Sequence, residues 1–201
     1  MRRGRETRAE HAHQAATGGR AHAPMPAPGK ETIVDLATLD LTQIVADRET
    51  IRRYNAQRFE MEQLTAIVLE DLERKVCVGY LDLPVDAFWA RGHMPGMPLM
   101  PGVLMCEAAA QLCSYFSGKH DLLGTPLLGF GGLDEVRFRD PVFPGQRLVI
   151  ACEIEKVRRG GMLVCHFQAF VNANLVCEGR IRGVPLPTER LADAARAASA
   201  V

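Results

Sequence analysis

His93 and Glu107 are the residues whose types and setting best suit acid–base chemistry. His93 sits in the run GHMPGMPLMPGVLMCEAAAQ, in a loop stiffened by Pro95, Pro98 and Pro101. Glu107 is the single acid of the apolar segment that follows. An imidazole titrates near neutrality and can take a proton without drastic tuning. A carboxyl among Leu, Met, Cys and Ala is poorly hydrated, which makes it a proton donor. Gln111, four residues on, lies on the same helical face and can hydrogen-bond that carboxyl. A helix starting at Gly102 presents unpaired N–H groups and the positive end of its dipole, and glycine lets a ligand approach the backbone. Together these groups suit removal of a proton beside a thioester or ketone carbonyl: His93 takes the proton, Gly102 N–H receives the oxygen charge and Glu107 protonates a departing hydroxyl.

The elements that must position them follow from pattern. Residues 102–118 read as one long helix, apolar nearly all round and therefore enclosed on most sides. Before it, 64–72 and 76–83 flank a charged turn at 73–75, as in a hairpin. After it come four strand candidates, 127–138, 147–157, 162–171 and 175–184, with turns at Gly160-Gly161 and Asn172-Ala173-Asn174. This order gives an α+β protein, one curved antiparallel sheet wrapped around a central helix. Residues 31–57 read as an N-terminal helical extension with one or two short helices in 36–54, residues 58–186 as the main domain, and 187–201 as a C-terminal tail.

Residues 1–30 hold six cationic side chains against two carboxylates and almost no large apolar residue, and read as a disordered basic tail. The whole chain is neutral, so the remainder carries −4 and offers no electrostatic case for nucleic acid. The six cysteines form no C-x-x-C pair and read as small core hydrophobes in a reducing cytoplasm. The N-terminus lacks the apolar core of a signal peptide. The uncharged run at 94–106 contains three prolines and does not read as a membrane span. No cluster of His, Cys, Asp or Glu has metal-ligand spacing. Ser114 lacks a nearby base and a G-x-S-x-G elbow, and Gly129-Phe130-Gly131-Gly132 reads as a strand bend instead of a dinucleotide-binding turn.

The segment G-H-x-P-x-x-P-x-M-P-G-V-L-x-x-E-A-x-A-Q closely resembles the signature of the FabZ-type (3R)-hydroxyacyl-acyl-carrier-protein dehydratases. GLDEVRFRDPVFPGQRL and VNANLVCEGRI resemble later stretches of that family, so the likeness covers roughly 58–184. It implies a hotdog fold, a homodimer that can assemble further into a hexamer, active sites at the dimer interface, and no metal or organic cofactor. The family's catalytic pair falls on His93 and Glu107, its oxyanion glycine on Gly102 and its acid-orienting glutamine on Gln111. His93 of one protomer is then expected to work with Glu107 of the other. Related FabA-type enzymes, which also isomerise the double bond, carry aspartate at the acid position, so Glu107 favours plain dehydration. The implied partner is acidic acyl carrier protein, for which Arg137, Arg139, Arg158 and Arg159, with Arg147 and Lys156, are candidate contacts. One segment departs from the family: where P-H-R-x-P-F-L-L-V-D-R is usual, this chain has NAQRFEMEQL from Asn55, keeping Arg58 and a few apolar positions. The alternatives are a hotdog thioesterase with Glu107 as base, and a non-catalytic acyl-thioester-binding regulator.

Overall fold

The structure, a computed structural model, describes residues 32–188, 191–193 and 196. The basic segment 1–30 and most of the C-terminal tail lie outside these residues. Six strands, β1 (Ala66–Asp71), β2 (Val76–Asp82), β3 (Leu128–Phe138), β4 (Arg147–Arg158), β5 (Met162–Val171) and β6 (Asn174–Pro185), form one antiparallel sheet of order β1-β2-β4-β5-β6-β3. The long helix, α2 (Gly102–Lys119), connects β2 to β3 and crosses the inner face of the sheet. Every strand and the helix fall close to the spans expected from pattern. This is the hotdog architecture.

The helix is enclosed as its composition demands. Met105, Cys106, Ala108, Ala109, Leu112, Cys113, Tyr115 and Phe116 are buried against Cys77, Ile150, Cys152, Cys165, Phe167 and Cys177 of the sheet. Small side chains bring helix and sheet close: Cys152 Sγ lies 3.6 Å from the carbonyl of Ala109. A Cβ at Gly79 would stand 3.2 Å from Leu112 Cδ1 and 2.9 Å from the carbonyl oxygen of Ala66, so glycine permits the helix to seat there. All six cysteines are free and buried. Burial pushes the thiols of Cys77, Cys152 and Cys165 up, which keeps them neutral core groups.

A second apolar cluster lies on the outer face. Strand β2, VCVGYLD, is apolar on both sides, and such a strand needs cover on both. Residues 33–41 supply it: Ile33 and Val34, with Leu36, Leu39 and Leu41 partly buried, pack on Ala66, Val68, Val76, Val78, Tyr80 and Ala151. Ile33 N–H donates to the buried Gln168 Oε1 at 2.9 Å, and Arg74 Nη2 donates to Ile33 O at 3.1 Å. Helical structure in this extension amounts to one 3-10 turn, Leu36–Thr38, capped by Asp35, and the four-residue α1 (Arg48–Ile51), capped by Asp47. Its work is done by an extended strap rather than by helices.

Asn172 and Ala173 join β5 to β6 with φ of 48° and 64°. This is the left-handed pair of a type I′ hairpin. On β3 the register against β6 shifts between Phe130 and Gly132 and again between Asp134 and Arg137, so the glycine-rich stretch is a strand irregularity.

Candidate active site

The chain from β2 to α2 is irregular, and buried anchors at both ends hold it. Trp89 is buried in the core, and its carbonyl accepts from Gly92 N–H at 3.1 Å and His93 N–H at 2.9 Å. Downstream, buried Met100 donates through its N–H to Val142 O at 2.7 Å. The imidazole of His93 is thus presented on an exposed stretch between two fixed points.

His93 and Gly102 line one pocket of about 500 Å³, with Leu99, Met100, Pro101, Val103, Met105, Phe138, Arg139, Asp140 and Pro141. That volume and the mostly apolar wall fit a small-molecule site. Among the described residues no side chain caps the start of α2, which leaves first-turn N–H groups for a ligand oxygen. Glycine at 102 has a steric cause that the sequence did not reveal. A Cβ there would stand 2.7 Å from Cε1 of Phe138, whose ring packs on the helix start.

Glu107 is not a wall of this pocket. Five residues beyond Gly102, it lies about 140° around the helix axis. Its Oε1 accepts from Gln111 Nε2 at 2.8 Å and Gln57 Nε2 at 3.4 Å. Gln111 is buried and spent: its second Nε2 hydrogen goes to Met61 O at 2.7 Å, and its Oε1 accepts from Gln63 N–H at 2.9 Å. With the carbonyl end facing an N–H, the amide has one orientation, nitrogen toward Glu107. The structure therefore joins Glu107 to Gln111 and His93 to Gly102, as two half-sites on different faces of α2.

The four arginines fall in two places. Arg139 lines the His93 pocket and pairs with buried Glu178, and Arg137 is exposed two residues earlier on β3. Arg159 pairs with Asp121, just past the far end of α2, with Arg158 beside it as the last residue of β4. The whole length of α2, 18 residues, separates the two locations. Pattern reading missed Phe138, Asn55 and Gln57 as site residues. For the last two the signal was the departure from the family pattern around Arg58.

Residues 55–180 match the FabA-like domain family, and the chain belongs to that family. Within it the chain is of the FabZ dehydratase type. It is 39% identical over 113 residues to the 3-hydroxyacyl-[acyl-carrier-protein] dehydratase FabZ of Syntrophobacter fumaroxidans, covering 55% of this chain and 76% of that protein. It is also 34% identical over 142 residues to the bifunctional enzyme LpxC/FabZ of Chlorobaculum tepidum, covering 69% of this chain but only 29% of that longer protein. Among solved structures, the dehydratase heterocomplex ApeI:P of Xenorhabdus doucetiae superposes with a TM-score of 0.58 at 17% identity, over 70% of this chain and 94% of that one. An uncharacterized protein of Pyrococcus horikoshii gives 0.51 at 18% identity, over 67% and 92%. These last two likenesses concern the fold.

Proposed function

We propose that the protein dehydrates (3R)-3-hydroxyacyl thioesters on acyl carrier protein to trans-2-enoyl thioesters, in fatty acid or related lipid or polyketide synthesis in the cytoplasm. His93 takes the α-proton while the thioester oxygen gathers charge against the Gly102 N–H. Glu107 gives its proton to the β-hydroxyl, the C–O bond breaks, the α–β double bond forms and water leaves. Typical contributions are about 10²–10⁴-fold for each acid–base group and about 3–4 kcal/mol for the oxyanion donor.

The observation that carries this reading is the division of the site. His93 and Gly102 share one pocket, and Glu107 is held ready on another face, so two copies complete each other's sites. A dimer is supported by the open edge strand β3, whose Phe130, Leu133 and Phe138 are exposed. It is supported also by Val103, exposed at the start of an otherwise enclosed helix. Arg139, which lines the pocket, and the exposed Arg137 two residues before it are the candidate contacts for an acidic carrier; Arg158 and Arg159 lie too far from this pocket to share one docking patch with them.

The test is spectroscopic. The protein is mixed with 3-hydroxyacyl carrier-protein thioesters of several lengths, and ultraviolet absorbance follows the conjugated enoyl product. Product from the native chain, with heavy loss in His93→Ala and in Glu107→Gln, is the expected result. Release of free thiol without enoyl product would replace the dehydratase with a thioesterase, and neither signal would leave an acyl-thioester-binding protein.

A further inference from the structure

The segment that departs from the family pattern delivers a second amide to the acid. Arg58 braces it: its guanidinium donates to the carbonyls of Asn55 at 2.8 Å, Gln57 at 2.6 Å and Arg52 at 3.1 Å. Asn55 ties the same segment to α2, its Nδ2 donating to Gln111 O at 2.9 Å. Gln57, between these anchors, points Nε2 at Glu107 Oε1. Its own Oε1 and the Oδ1 of Asn55 are buried acceptors without a donor among the described residues, and both residues line a cavity of about 10 Å³. That volume is about what one water requires, and one water donating to both oxygens would fix the amide with its nitrogen toward the carboxyl. The reverse orientation would press a carbonyl oxygen against a carboxylate oxygen.

From this arrangement we infer that Gln57 is a positioning residue for Glu107, selecting the oxygen that carries the acid's proton. Gln57 and Gln111 both donate to Oε1. A proton on that oxygen would meet two N–H groups, so the proton resides on Oε2, which neither amide engages. Oε2 is then the oxygen that meets the departing hydroxyl. The inference rests on the dehydratase reading above and concerns a residue that touches the acid, not the substrate.

The test compares native protein, Gln57→Leu, Gln57→His and Glu107→Gln, full chain, on a 3-hydroxyacyl pantetheine thioester, with kcat and KM measured separately. Leu removes the donor at similar volume, and His retains an N–H. The expected result is a fall in kcat of about tenfold in Gln57→Leu with KM within about twofold, and recovery of most of the loss in Gln57→His. Native kcat in Gln57→Leu, alongside an inactive Glu107→Gln, would overturn the inference and leave the dehydratase reading standing. A loss that Gln57→His does not recover and that is accompanied by a matching fall in melting temperature would also overturn it, assigning Gln57 to folding alone. A fully active Glu107→Gln would remove the acid role of Glu107 and this inference with it, whereas a native protein inactive on this thioester and on its carrier-bound form would remove the reaction itself.

Discussion

The ring of Phe138 lies on the α-carbon of Gly102, so close that a methyl group there would stand 2.7 Å from Cε1 and 2.9 Å from Cζ. Edge strand and helix start thus meet at the point where a substrate oxygen is expected. Gly102→Ala must displace the ring, at a cost of about 1–3 kcal/mol. The double variant Gly102→Ala with Phe138→Ala relieves the clash. Melting temperature should therefore recover in the double variant while enoyl formation stays down by about 10²-fold, because a methyl beside the oxyanion position persists. Full recovery of turnover in the double variant would reduce Gly102 to a packing residue.

If each site takes His93 from one protomer and Glu107 from the other, two dead variants can rescue each other. A dimer of one His93→Ala chain and one Glu107→Gln chain contains one site with both groups intact and one with neither. Random mixing of symmetric dimers puts roughly half the molecules in this state, so the mixture should regain about a quarter of native turnover after unfolding and refolding together. If each protomer contained its own complete pair, the mixture would stay inactive.

How far the sequence carried is visible at the same residues. The long helix was legible because its 18 residues are apolar on nearly every side, and the hairpin because charged residues interrupt two apolar runs. The strap over the outer face was not. That β2 is apolar on both sides announces a cover, but pattern cannot say which segment supplies it, and Ile33, Val34 and Leu36 are too few to show a period. Strand faces on β3 were illegible because shifts at 130–132 and 134–137 break the two-residue alternation. His93, Gly102, Glu107 and Gln111 could be singled out by type and spacing within one short run. Gln57 reaches Glu107 across fifty positions, and spacing carries no signal over such a distance.

Glu70 makes folding stability depend on acid. On β1 it accepts from Tyr115 Oη at 2.6 Å, Lys119 Nζ at 2.8 Å and His120 Nε2 at 3.0 Å. Burial opposes its charge, but the bonds from Lys119, Tyr115 and His120 outweigh it and hold the carboxyl below its ordinary range. A carboxyl depressed in the folded state contributes stability above its unfolded pKa and loses it as pH falls through the folded value. Urea midpoints should therefore decline below about pH 4.5, and Glu70→Gln, less stable at pH 7, should show a shallower decline. Parallel acid limbs in the two proteins would remove Glu70 from the account.

The β5–β6 turn carries a correctable strain. Ala173 holds its positive φ on an exposed turn. There a Cβ costs about 1–2 kcal/mol and glycine nothing. Ala173→Gly also creates Asn-Gly, the preferred type I′ pair. Glycine loosens the unfolded chain by a smaller amount, so the net expectation is a gain of about 0.5–1 kcal/mol in thermal or urea unfolding. Destabilisation would mean that the turn relaxes to another geometry in solution.

Arg137 and Arg139 are neighbours in sequence with different duties. Arg139 is paired with the buried Glu178. Arg139→Ala removes a cation from beside a carboxylate in the sheet and should lower the melting temperature clearly, because breaking a buried pair is costly. Arg137 is exposed in the single chain, one residue from the end of the edge strand that the proposed dimer uses. If it receives the acidic carrier, Arg137→Ala should raise KM several-fold for carrier-bound substrate at low salt and leave KM unchanged for the pantetheine thioester, with melting temperature unmoved. The rise should fade as salt screens the attraction, since an exposed charge acts chiefly on encounter. An equal change with both substrates would place Arg137 against the acyl-pantetheine itself, and no change with either would move the docking surface off this end of the sheet.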